Sequence, residues 1–205
     1  MSTLSTPSTD SPSAEIQLAS DGAGALLERD YWAAIAGCRV GPTELMADLR
    51  QRFCDFPPPD LVKFSRAGQC GQPLSVGDEL DIQIRMAPEC HVRVVCADEH
   101  SLTLATLTGH PEAGRITFGA YRHESGAVIF HIRSRSRSGN LTFSAGFAAL
   151  GEAMQTNTWT DFVETVAATY GDGVQGETHA ETQQVQATAS DETACEPTFR
   201  AQGMD

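Results

Sequence analysis

The stretch from Gly109 to Gly139 constrains the fold of this chain most, because its pattern is that of one long β-hairpin. Apolar residues alternate with other residues in segments 116–120 and 128–132, on either side of a Glu124-Ser125-Gly126 turn. A period of two is typical of a strand with one buried face, and a short turn makes the pairing antiparallel. The hairpin is entered through a Gly-His-Pro-Glu turn at 109–112. The sequence therefore predicts an antiparallel sheet.

Further strands are predicted upstream of the hairpin. Segments 80–86, 91–96 and 101–107 show the same alternation, with Asp98-Glu99-His100 as the turn between the last two. The mixed apolar pattern of residues 31–40 fits a strand or a short helix, and we favour the strand. Together these segments predict a meander of at least five strands.

Helical spacing appears twice. Gly41-Pro42 favours a helix start, the Pro57-Pro58-Pro59 run ends that helix, and Pro59-Asp60 could open a second short one. From Phe147 to Tyr170 the apolar residues again follow a helical period, as one long helix or two in succession. An apolar sheet face needs a cover, and this helix is the available one. We expect an α+β fold in which a curved antiparallel sheet wraps around a long C-terminal helix, with two short helices after the first strand.

The two ends of the chain differ in composition from its middle. Residues 1–28 are rich in Ser, Thr and Pro, and residues 171–205 contain seven acidic residues against Arg200 alone. Neither end has enough apolar surface to offset the entropy of ordering. We therefore predict a disordered N-terminal extension (1–28), one folded domain (29–170) and a disordered acidic tail (171–205).

Composition also excludes classes of partner. A net charge of -13 and a pI near 4.7 argue against nucleic acid, which requires a basic surface. No stretch has the roughly 20 apolar residues that span a bilayer, and the first residues lack the basic and apolar regions of an export signal. We expect a cytoplasmic protein whose six cysteines remain reduced. The sequence has no phosphate-binding loop, GxSxG or HExxH motif, and we expect no cofactor.

The run TLTGHPEAGRITFGAYRHESGAVIFHIRSRSRSG, preceded by SVGDELDIQI and CHVRVV, resembles DUF1990, a family known as a domain of unknown function. That family is grouped with the START-related, birch-allergen-like helix-grip proteins of the SRPBCC superfamily. The resemblance covers roughly residues 31–170 and implies a helix-grip fold. Members of the superfamily include lipid and hormone binders, polyketide cyclases, aromatases and chaperone regulators, so the fold does not fix the activity.

Three functions fit these observations. The first is a binding module that holds a small apolar or amphipathic molecule between the sheet and the C-terminal helix. Its expected lining consists of large apolar side chains: Phe118, Phe130, Met154, Trp159 and Phe162. The second is a cofactor-free enzyme of the cyclase or isomerase type, with His110, Glu112 or Tyr121 moving protons inside the same cavity. The third is a protein-interaction domain whose interior is fully packed.

Each candidate residue also has a structural interpretation. His110 and Glu112 lie in a turn that Gly and Pro alone could explain. The basic residues of segment 131–137 should point outward by alternation, as a solvated stripe or as a site for an anionic partner such as the acidic tail. Cys90 and His91 are adjacent in a strand and face opposite sides, so we expect no metal site there.

Overall fold

The computed structural model describes residues 14–66, 72–84, 89–139 and 145–193, with side chains in the last range described from Gln155 onward. Its strands form one eight-stranded sheet in the order β2-β3-β4-β5-β6-β7-β1-β8, with every neighbouring pair antiparallel. The strands are β1 (Ala23–Ile35), β2 (Val62–Ser65), β3 (Glu79–Ile84), β4 (Cys90–Ala97), β5 (Ser101–Thr106), β6 (Glu112–Arg122), β7 (Val128–Ser138) and β8 (Val174–Val185). The helices are α1 (Pro42–Arg52), α2 (Ala145–Tyr170) and α3 (Ala189–Thr193).

The hairpin has the pairing that alternation predicts. Phe118 lies opposite Ile132 and Ala120 opposite Phe130 in the β6–β7 register. These four side chains are buried on the face of the sheet that α2 covers, here called the inner face. The other face of the sheet is called the outer face. The prediction of a curved antiparallel sheet around a long C-terminal helix is confirmed, and α2 is one continuous helix.

Residues 62–65 form strand β2 instead of the predicted second short helix. Val62 and Phe64 are buried while Lys63 and Ser65 are exposed, which is the two-residue period of a strand. A single turn of 3-10 helix, Phe53–Asp55, follows α1 directly. Two apolar residues, Val62 and Phe64, are too few for the sequence to distinguish the period of a strand from that of a helix.

The C-terminal segment differs from the disordered tail that the sequence predicts. Gly173, with φ 99°, follows α2 and leads into β8, which pairs along most of β1, with Ala180 opposite Tyr31. Most β8 side chains are exposed on both faces. The strand is therefore held by its backbone hydrogen bonds to β1 and leaves no apolar pattern in the sequence.

The N-terminal segment is also ordered before the predicted domain limit. Ile16 forms a β-bridge with Leu107, and β1 begins at Ala23. The Gln17 amide donates to the backbone carbonyls of His110 and Glu112 at 3.0 Å each. These residues therefore brace the turn that leads into β6.

The expectation that all six cysteines stay reduced is wrong for Cys96, which is disulfide-bonded. Cys38, Cys54 and Cys90 are in the thiol form. The cytoplasmic location inferred from the N-terminal sequence stays a prediction. Within the described residues, every helix is too short or too polar to cross a bilayer.

Candidate functional site

A cavity of about 60 Å³ lies between the inner face of the sheet and α2. One side of its lining is apolar and comes from strands β2 to β6: Phe64, Ile82, Val92, Leu104 and Ile116. The opposite end is polar, and its groups include His110, Glu112, Ser134, Ser136 and Gln155. Since His110, Glu112 and Gln155 are only half-buried, the polar end is the side nearer to solvent.

Glu112 is the centre of the polar end. Its Oε2 accepts a hydrogen bond from Gln155 Nε2 of α2 at 3.1 Å. Its Oε1 lies 3.5 Å from the NH1 nitrogen of Arg29, which projects inward from β1 and is 7% exposed. The same nitrogen donates to Ser136 Oγ at 3.3 Å. This carboxylate therefore links β6, which carries it, to β1 and to helix α2.

The His110 ring is fixed by its own turn. Nδ1 lies 3.0 Å from both the backbone nitrogen and the carbonyl oxygen of Glu112, so it accepts from the N–H in one neutral tautomer and donates to the carbonyl in the other. Burial lowers the pKa of His110, and this effect outweighs the opposing effect of the neighbouring Glu112. His110 is therefore a neutral imidazole near neutral pH, held at Nδ1 by the Glu112 backbone.

Buried polar atoms around the cavity include Ser134 Oγ, Trp159 Nε1 and Arg29 Nε, which have no hydrogen-bond partner among the described residues. Ser134 and Trp159 line the cavity, and Arg29 contacts two residues that line it. Buried polar groups in folded proteins nearly always have a partner, supplied by protein or by an ordered molecule. The unpaired atoms therefore mark a place where a guest molecule would be stabilised.

Of the predicted lining residues, Trp159 borders this cavity. Phe118, Phe130 and Phe162 are fully buried and pack against one another, with ring centroids 5.3 Å apart for Phe118–Phe162 and 6.0 Å for Phe130–Phe162. The Met154 side chain lies outside the described part of the chain. Much of the space under α2 is filled by aromatic rings, which explains why this cavity is small.

Tyr121 lies on the outer face, away from the cavity. Its hydroxyl is 3.4 Å from Nδ1 of His131, while neighbouring Ala120 belongs to the core on the inner face. Alternation along β6 requires this placement. The structure thus brings His110 and Glu112 together at the cavity and separates Tyr121 from them.

The outer-face basic residues are not a solvated stripe. His131 Nε2 and Arg133 Nε each lie 2.7 Å from Asp30 Oδ1 of β1, and His131 is 4% exposed. Burial alone would raise the pKa of Asp30, but hydrogen bonds from His131 and Arg133 hold it below its usual value. Alternation predicted the direction of these side chains correctly, and the solvated interpretation is wrong for His131 and Arg135, which are buried.

The chain's own acidic C-terminal segment provides an anionic partner. Asp191 of α3 accepts hydrogen bonds from Arg115 NH1 and Arg135 Nε, both at 2.8 Å, and is 4% exposed. Arg135 also pairs with Glu28 of β1. Of the two interpretations of the basic residues in segment 131–137, the geometry matches the contact with the acidic C-terminal segment.

Asp81, Glu89 and His91 bring their ligand atoms within 4.8 Å of one another at the surface. His91 Nδ1 is already hydrogen-bonded to Asp81 Oδ1 at 2.9 Å. Cys90 is buried while His91 is half-exposed, as their adjacency in a strand predicts. The group has the form of an ordinary hydrogen-bonded cluster at the surface.

Sequence reasoning missed Arg29, Ser134, Ser136 and Gln155. Ser134 and Ser136 carried a usable signal, because continuing the alternation from Phe130 and Ile132 places both on the inner face. Arg29 carried none, since β1 is buried on both faces over most of its length. Gln155 depends on the rotation of α2, which the sequence left open.

An antiparallel sheet that wraps around a long helix, with a cavity between the two, defines a helix-grip protein. Residues 60–165, just over half of the chain, match the family model described as "Domain of unknown function (DUF1990)". The chain belongs to this family. None of the curated protein sequences matches it.

Three solved structures are among those similar to this chain. Ginseng major latex-like protein 151 from Panax ginseng has 14% identity and a TM-score of 0.46, over 72% of this chain and 99% of that one. Protein Ms6760 from Mycobacterium smegmatis has 13% identity and a TM-score of 0.45, over 72% and 93%. Ara h 8.0201 has 10% identity and a TM-score of 0.43, over 69% and 99%. None of these similarities assigns a ligand to this chain.

Proposed function

We propose that this domain binds a small amphipathic molecule in the cavity between the inner face of the sheet and α2. The observation that carries the proposal is the division of the lining into an apolar wall and a polar end. Apolar walls with a few convergent polar groups are the usual composition of a ligand site. A purely apolar guest would leave Ser134 Oγ and Trp159 Nε1 without partners, so an amphipathic guest is favoured.

The cavity limits the size of the guest. About 60 Å³ is well below the roughly 300–1,000 Å³ of pockets that enclose drug-sized ligands. It has room for roughly two to four water molecules. The guest is therefore a molecule of a few non-hydrogen atoms, or one end of a larger molecule that extends from the cavity.

Cofactor-free enzyme activity is the second candidate, supported by the presence of His110 and Glu112 in the lining. The contacts of His110 Nδ1 with the Glu112 backbone weaken it, because they leave Nε2 as the ring nitrogen that could exchange a proton with a substrate. A protein-interaction domain with a packed interior is supported less, since a cavity is present. Binding is the function that needs no rearrangement of these hydrogen bonds.

Native mass spectrometry of the protein purified from its own host, followed by denaturing extraction, tests the proposal. Ile116→Trp is the matched control, because Ile116 is a half-buried wall residue that a larger side chain would extend into the cavity. We expect a small amphipathic molecule on the wild-type chain and its loss from the variant. A wild-type chain that carries no molecule, or equal occupancy of both proteins, would contradict the proposal.

A further inference from the structure

We propose that the polar end of the cavity recognises a neutral ligand through a hydrogen-bond acceptor, of the kind that a ketone or aldehyde carbonyl provides. This inference rests on the proposed binding function and specifies the chemical class of the guest. It follows from which polar atoms of the site are already paired and which are not.

The unpaired atoms that line the cavity can donate. Trp159 Nε1–H is a donor only, and Ser134 carries a hydroxyl that donates or accepts. The two residues are 9% and 2% exposed, and neither atom has a partner among the described residues. A buried donor without an acceptor is costly, so these two groups favour a guest that brings one.

Several polar groups at this end already have partners. Glu112 Oε2 accepts from Gln155, and Glu112 Oε1 faces Arg29. His110 Nδ1 is occupied by the Glu112 backbone, at 3.0 Å from both its N–H and its carbonyl oxygen. A guest with an acceptor group complements Trp159 Nε1–H and Ser134, whereas a guest with only a donor would leave Trp159 Nε1–H without a partner.

The charges at this end are balanced without a guest. The Arg29 guanidinium and the Glu112 carboxylate lie 3.5 Å apart. The Arg115 guanidinium is bound to Asp191 and Ser190 on the outer face, so its charge does not serve the cavity. An anionic guest would place a second negative charge beside Glu112, and a buried charge without its own counter-ion is strongly disfavoured. The guest is therefore neutral.

Acetone, isobutene and acetate test this inference, because they share a planar shape with four non-hydrogen atoms and differ in the group presented. The readout is the indole N–H resonance of Trp159 in nitrogen-15 NMR spectra of the full chain. The chain has two tryptophans, and Trp32 stacks on His179 at the outer face, where it serves as an internal control. We expect acetone to shift Trp159 and not Trp32, and to bind at least tenfold more tightly than isobutene or acetate.

Ser134→Ala should weaken acetone binding roughly 3- to 10-fold, the value of one neutral hydrogen bond, and leave isobutene binding unchanged. Ser125→Ala, in the exposed β6–β7 turn, is the matched control and should change neither. Isobutene binding equal to that of acetone, or no effect of Ser134→Ala, would overturn acceptor recognition while leaving cavity binding intact. Tighter binding of acetate would overturn neutrality. Failure of every probe to shift Trp159 would instead overturn the proposed function, and this inference with it.

Discussion

Replacing Asp191 with alanine removes the carboxylate that joins the C-terminal segment to the outer face of the sheet. Asp191 accepts hydrogen bonds from Arg115 and Arg135, and from the backbone N–H of Thr188 at 2.7 Å. Both arginines are buried, at 4% and 8% exposure. The substitution therefore leaves two guanidinium groups in a dry environment without the carboxylate that they share.

Removing one partner of a buried ion pair costs about 3–5 kcal/mol when the remaining charge stays buried and uncompensated. Arg135 keeps its pair with Glu28, so we expect a value at the lower end of this range. Here the loss has an upper bound. If β8 and α3 detach from the sheet, water reaches the arginines, so the loss cannot exceed the free energy that holds this segment in place. We expect either a decrease in global unfolding free energy of that size or the release of residues 174–193.

Urea denaturation measures the first outcome, and amide hydrogen exchange of β8 measures the second. Glu192→Ala is the matched control, because it removes the same charge one position further along at an exposed site. A loss below about 1 kcal/mol in Asp191→Ala, with β8 amides protected as in the wild type, would refute the reasoning.

The same contact predicts a pH dependence. Burial alone would raise the pKa of Asp191, but hydrogen bonds from Arg135 and Thr188 and the arginine charges hold it well below the usual value. A carboxyl whose pKa is lowered by folding stabilises the protein above its unfolded pKa, near 4, and loses that contribution as the pH falls further. The stability difference between wild type and Asp191→Ala should therefore be constant near neutral pH and shrink below about pH 4.

Three further measurements test the assignment of buried groups. Phe130→Ala should cost about 3–5 kcal/mol in urea denaturation, because Phe130 is 0% exposed beneath α2, and a value near zero would contradict its inward placement. Burial raises the pKa of the Cys90 thiol to about 12, so a thiol reagent at about pH 8 should label exposed Cys54 and spare Cys90 until the chain unfolds. Burial also raises the pKa of Tyr121 to about 12. In a spectrophotometric titration, Tyr121→Phe should therefore remove a phenol that ionises near that pH. Loss of a phenol that ionises near pH 10 would instead show that the Tyr121 hydroxyl is exposed.

The central hairpin and the long helix were predictable because each carries most of its large apolar side chains on one face. Phe118, Phe130 and Ile132 repeat with a period of two, and the register of β6 and β7 follows from that period and the turn. Strand β8 could not be predicted in this way. Most of its side chains are exposed on both faces, and it pairs with β1 through backbone hydrogen bonds that depend little on which side chains are present.

The charged residues of the outer face show a different limit of sequence reasoning. Alternation correctly directed Arg135 away from the core, but a side chain on the outer face is exposed only if nothing covers that face. Glu28 and Asp191, which lie far apart in the chain, both contact Arg135 and keep it 8% exposed. Such long-range charge pairing has no periodic signal in the sequence.

The polar end of the cavity was partly predictable. His110 and Glu112 were candidates because a turn at the end of a strand often carries functional groups. The inward direction of Ser134 follows from alternation along β7, whereas β1 is buried on both faces over most of its length, so its pattern did not reveal the direction of Arg29. The sequence thus indicated the location of the site but missed several of the groups that form it.

Nuclear Overhauser effects between a bound guest and the cavity wall would show directly whether this cavity holds the ligand. Leu104 and Ile116 are paired across β5 and β6 and both border the cavity. With acetone as the guest, we predict contacts from its methyl protons to the methyl groups of both residues. Binding without these contacts, or contacts confined to side chains of the outer face, would contradict the assignment of this cavity as the ligand site.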